Sequence, residues 1–155
     1  VTRYAQNTNV SSEASRNEIE RTLRKFGATE FAYGWQQGHA AVGFVISGRQ
    51  VRFVLHMPDP NDREFTHTPT RRTPRSPGEA EKAYEQVVRQ RWRALAAVIK
   101  AKLVAVQEGI VTIEEEFLAH FVLPSGATMA QEMIPRLDAA LDGQSMPALL
   151  PGRSS

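Results

Sequence analysis

Lys82, Arg89, Arg93 and Lys100 share one predicted helix, and at ~100° per residue they fall within a ~40° sector of it. They make a basic line about 27 Å long on the side opposite that helix's apolar stripe. Arg63, Arg71, Arg72 and Arg75 lie just upstream in a proline-rich segment. Flexible cations spaced along a helix and fed by a basic loop can track a phosphate backbone. These eight residues are the candidate binding site, with nucleic acid as the expected ligand (DNA, single strands included). The plain alternative is a solvated face: Lys and Arg are good helix formers, Gln86 and Gln90 lie alongside, and Glu79, Glu81 and Glu85 dilute the field.

Other constellations are weaker. His39, His56, His67 and His120 fall on different elements, without the i, i+4 or short-loop spacing of a metal site. Glu114, Glu115 and Glu116 are three carboxylates in a row, which the first turn of a helix accounts for through capping and the macrodipole. A metal-dependent nuclease would need Asp59 and Asp62 brought to them. No GxxxxGK[ST], GxGxxG or GxSxG motif occurs. The chain has no cysteine, which removes disulfides, thiolate metal sites and cysteine nucleophiles together. A non-enzymatic protein without cofactor or metal is expected.

The charge is unevenly distributed. Residues 1–60 carry seven Lys/Arg and five Asp/Glu, residues 61–102 ten and five, and residues 103–155 two and seven. A basic centre followed by an acidic end suits a polyanion site on one part of the surface, or an acidic end that packs on the basic middle. The 155 residues suit a single domain. Apolar runs such as Ala94 to Ile99 are too short for a membrane span, and Val1-Thr2-Arg3-Tyr4 opens no signal peptide. The expected location is the cytoplasm.

The elements that must position the basic line form an α+β domain: a helix, a three-stranded antiparallel meander, a long helix, then C-terminal helices. Residues 1–10 read as an extended arm. A helix opens at Ser11 or Ser12, or later with a Ser15/Glu18 capping box, and presents Ile19, Leu23 and Phe26 inward, with Gly27 as its cap. Three period-two runs follow: Thr29 to Trp35, Ala40 to Ile46 and Val51 to Met57. They are separated by Gln36-Gln37-Gly38 and Ser47-Gly48. Residues 58–78 read as a Pro/Arg-rich loop without regular structure. Ser76, Pro77 and Glu79 start the long helix, which runs to Gln107 or Glu108. Its buried stripe is Tyr84, Val88, Leu95, Ile99, Leu103 and Val106, flanked by Val87, Trp92 and Val98. Thr112/Glu115 opens a short helix through Phe117, Leu118 and Phe121. Thr128/Gln131 opens another with Met129, Met133, Leu137 and Leu141 inward, which Pro135 should kink or split. Residues 143–155 form a tail whose Met146 to Pro151 docks as a strap. The long helix exposes more apolar length than a three-stranded sheet of ~20 Å covers, so either the C-terminal helices or a second subunit must cover the rest, with a homo-oligomer the favoured of the two.

The order helix, three antiparallel strands, helix resembles that of double-stranded-RNA-binding domains, with basic residues near the start of the last helix, here Arg75 and Lys82. It departs from them in the long connection before that helix. In outline it is also similar to the core of single-strand annealing proteins. Arg91-Trp92-Arg93-Ala94-Leu95, Ile99-Lys100-Ala101-Lys102-Leu103 and Glu114-Glu115-Glu116-Phe117-Leu118-Ala119, closed by Leu150-Pro151, resemble small proteins of tailed phages and prophages. That likeness covers the C-terminal half and implies a mobile-element setting. Two functions are therefore expected: a phage-type nucleic-acid-binding protein of DNA metabolism or strand annealing, or a phage-encoded interaction protein that inhibits a host factor such as a defence enzyme.

Overall fold

Helix α1 spans Arg3–Lys25, well ahead of the serines expected to open it. The computed structural model describes the backbone of residues 3–36 and 38–150 and the side chains of residues 12–36 and 38–150. Residues 3–10 are therefore helix, not an extended arm. They contain no glycine or proline to stop a helix growing backward, and α1 as a whole packs on α3. Ser12 and Ser15 are buried mid-helix, in one stripe with Ile19 and Leu23. Their small side chains permit the close helix approach that larger caps would prevent. Gly27 ends the helix with φ +93°, the left-handed cap expected.

Strands β1 (Glu30–Gln36), β2 (His39–Ile46) and β3 (Arg49–His56) form the antiparallel meander β1-β2-β3. Tyr33 pairs with Val42, and Val42 with Phe53. Ser47 and Gly48 both have positive φ, 51° and 71°, the two-residue turn whose twist matches the strands it joins. Ala40, Val42, Phe44, Ile46, Val51 and Phe53 are buried on one face. Of the expected β1 aromatics, Phe31 and Tyr33 only pack at the core's margin, and Trp35 is 43% exposed. Gln37, in the first turn, lies outside the described residues.

The segment after β3 is not structureless. Helix α2 (Arg63–Thr66) buries Phe65, which meets the Tyr84 ring edge-on at 5.3 Å. A tight loop follows, closed by the His67–Pro74 bridge and by Thr68 N–H donating to the Thr73 carbonyl at 2.8 Å. Prolines rule out a long helix here, but not short-range closure by backbone and threonine hydroxyls.

Helix α3 spans Pro77–Gln107 and starts with the expected reciprocal capping box of Ser76 and Glu79. Tyr84, Val88, Leu95, Ile99 and Leu103 are buried, as expected. Trp92 is also fully buried, not flanking, and Val98 is 44% exposed. With α1 along it and the sheet beneath, α3's stripe is covered within one chain, which removes the expected reason for an oligomer.

Thr112 and Glu115 form the second box, opening α4 (Ile113–Phe117), and a 3-10 turn (Leu118–His120) follows. Phe117 meets Phe44 and Phe53 edge-on at 6.0 and 6.2 Å. Leu118, expected with them, is exposed, and Phe121 leaves the helix to bridge Val51 on β3. Thr128 and Gln131 form the third box, opening α5 (Met129–Leu141). Here the expected burial fails: Met133, Leu137 and Leu141 are exposed, and α5 buries none of its residues. Pro135 leaves α5 in one piece. At ~100° per residue Pro135 points away from the apolar side, so the carbonyl its missing N–H frees can be solvated. Met146, Leu149 and Leu150 are likewise exposed, so the described tail is no docked strap. Residues 151–155 lie outside the described residues.

His120 stacks on Phe53 with ring centroids 4.0 Å apart. Burial, followed by the nearby Lys102 cation, holds its pKa below the ordinary 6.5. The unfolded chain therefore binds the proton more readily. The folded state has this contribution in full above pH 6.5 and loses it as pH falls from there towards the lowered value. Denaturant midpoints should drop between pH 7.5 and 5, and His120→Gln should flatten the drop. An equal drop in both proteins would remove His120 as the cause.

Candidate nucleic-acid interface

Lys82, Arg89, Arg93 and Lys100 are all exposed along α3. Among the described residues none of the four has an ion-pair partner. The ion pairs found join Arg24 to Glu20, Arg49 to Glu114 and Lys102 to Glu116. The line is not opposite the core, however. Burial of Glu81, Trp92, Ala96 and Leu103 widens the buried arc towards it, and at ~100° per residue the line sits ~100° from that arc's centre. Gln86, Gln90, Ala97 and Ala101 hold the opposite side. Lys82, Arg89 and Arg93 border one shallow depression with Glu85, Gln86 and Gln90, so Glu85 does dilute the field. Glu81 is buried and faces elsewhere.

The loop arginines divide. Arg63 is exposed at the start of α2, and Arg71 and Arg72 are exposed in the tight loop, Arg72 with φ +51°. The Phe65–Tyr84 contact places the base of that loop at the N-terminal end of α3, where the line begins. Arg75 is half-buried, and its guanidinium donates to the Glu64 and Phe65 carbonyls at 3.1 and 3.2 Å. It holds α2 in place and is the least available of the eight.

Several cations outside the line are fixed by the fold. Arg91 donates to the His56 carbonyl at 2.6 Å and Arg52 to the Gly126 carbonyl at 2.8 Å. Arg16 lies over the Tyr33 ring at 4.4 Å. Lys102 donates to the Glu116 carboxylate at 2.9 Å. For Arg91 and Lys102 a signal existed: both fall beside the apolar stripe in helix phase.

The acidic end does meet basic residues in the same chain, at Arg49 and Lys102, and not at the line. Glu115 accepts from the Thr112 backbone and hydroxyl, which lowers its pKa. All three consecutive carboxylates thus have local partners. Among the described residues no three of His, Asp and Glu converge as a metal-binding group, and no helix is long and apolar enough to cross a membrane. His39 and His56 face each other across β2 and β3 with centroids 6.5 Å apart. Compared with known proteins, the chain matches no family model, no curated protein and no solved structure.

Proposed function

We propose that this chain is a non-enzymatic nucleic-acid-binding protein of phage type, acting in DNA metabolism or strand annealing, and that it grips the phosphate backbone along the flank of α3. The observation that supports this most is the row of four exposed cations without ion-pair partners among the described residues, while Lys102 on the same helix and Arg49 on β3 are paired. Arg63, Arg71 and Arg72 extend the positive surface beyond the N-terminal end of α3. Backbone binding of this kind releases counterions, so affinity falls steeply with salt. Fluorescence anisotropy with single- and double-stranded DNA and RNA oligonucleotides at low salt should show binding at micromolar protein that weakens as salt rises. Absence of binding, or binding indifferent to salt, sinks the proposal.

A second reading is favoured by α5, whose Met133, Ile134, Leu137 and Leu141 are exposed among the described residues. It makes the protein a phage-encoded inhibitor of a host factor such as a defence enzyme, since exposed apolar patches mark partner sites. Capture of one host protein from nuclease-treated lysate, lost with Leu137→Glu, supports it. Capture lost on nuclease treatment alone returns to nucleic acid.

A further inference from the structure

We infer that α5 is the docking arm of a reciprocal dimer, seated on the outer face of α3 in a second copy of this chain. Met133, Ile134, Leu137 and Leu141 form one apolar face of α5 and are all 45–62% exposed. Among the described elements α5 packs mainly against the 3-10 turn at Leu118–His120. A second uncovered apolar face lies on the C-terminal half of α3. Ala94, Ala97, Val98, Ala101 and Val104 are exposed there, on the side away from α1 and the sheet. Small side chains along one helix allow another helix to lie close, with its larger side chains between the ridges.

Charge selects this seat. At ~100° per residue Asp138 and Asp142 border the α5 face beside Ile134 and Leu141, while Arg93 and Lys100 border the α3 face. Seating α5 on α3 can bring acids to cations. Pairing α5 with α5 of the second copy about a two-fold axis cannot: centring the antiparallel pair on Leu137 sets Asp138 against Asp138 and Arg136 against Arg136. Like charges so placed oppose association. The reciprocal form leaves neither apolar face in water and uses the net acidity of residues 103–155 against the basic α3. It rests on the Ala/Val face and takes two cations of the basic line, Arg93 and Lys100, as its charge partners, so nucleic acid and the second copy compete for those two side chains, while Leu137→Glu and Val98→Glu test the dimer without touching them.

Light scattering on the full chain from 1 to 100 µM is expected to give twice the 17.3 kDa of one copy. Leu137→Glu and Val98→Glu should each give monomers with unchanged circular dichroism, since neither side chain is buried in the single copy. Asp138→Lys/Asp142→Lys and Arg93→Glu/Lys100→Glu should each weaken the dimer about tenfold or more, and together restore it. Four results overturn the inference: a monomer throughout, a dimer that survives Leu137→Glu, a dimer that survives Val98→Glu, or combined charge reversals that fail to restore association. A monomer that retains a host protein through α5 would hand this face to the inhibitor reading instead.

Discussion

Trp92→Ala should cost about 3–5 kcal/mol, enough to bring a domain of ordinary stability near unfolding. Trp92 is fully buried on α3, with its ring 5.4 Å from that of Tyr33. It is the largest side chain in a core that joins α1, the sheet and α4 through Ile19, Leu23, Val42, Phe44, Val88 and Phe117. Alanine there leaves a cavity that surrounding aromatic rings fill poorly. The indole also carries a cost: among the described residues its Nε1–H has no hydrogen-bond acceptor, and a buried unmatched donor costs about 1–3 kcal/mol. Trp92→Phe removes that donor while keeping an aromatic ring, so it should cost less than half as much as Trp92→Ala. Urea denaturation followed by circular dichroism checks both. If Trp92→Ala shifts the midpoint no more than Arg89→Ala at the surface, the core is not centred here.

The second large effect is on binding. Arg89→Glu/Arg93→Glu should abolish binding to DNA or RNA oligonucleotides at micromolar protein while changing stability by only about ±0.5 kcal/mol per site, as for an ordinary exposed position. A milder Arg89→Gln/Arg93→Gln pair should retain measurable binding. Its log–log salt slope should flatten by roughly 0.7–0.9 for each lost contact. Arg24→Glu is the control, because Arg24 is exposed on α1, away from the line, and pairs with Glu20 one turn away. Glu115 and Glu116 would be poor controls, since one closes a capping box and the other holds Lys102. If the glutamate pair folds and binds like the parent, the line is a solvated face. If it unfolds, the flanking position of these arginines is wrong.

What was legible in the sequence was what short stretches of chain decide. The three helix starts at Ser76, Thr112 and Thr128 are reciprocal boxes between residues three apart, and each forms as read. The meander was legible too, because strand alternation and the Ser47-Gly48 turn are local. Residues 3–10 read as an arm because they are polar and aperiodic, yet without glycine or proline nothing in them stops the helix of residues 11–25 from extending backward. The aliphatic stripe puts Trp92 at the flank of α3, but α1 and the sheet cover a wider arc than that stripe marks and bury it. For α5 the cause is the opposite: its amphipathic pattern reads as inward, yet among the described residues no neighbour buries it. For the site, helix phase told which cations share a face. It could not tell that Arg75 holds α2 or that Arg91 reaches the His56 carbonyl, because both depend on distant backbone.

The lack of burial along α5 also divides the molecule thermodynamically. An isolated helix of 13 residues is marginal in water, and this one contributes no buried side chain to the core that holds Trp92. In a single copy its helix–coil equilibrium is therefore nearly uncoupled from the cooperative unfolding of the rest. The unfolding free energy read at Trp92 belongs to α1, the sheet, α3 and α4, while the backbone amides of α5 exchange with solvent through local fraying on a free-energy scale of their own.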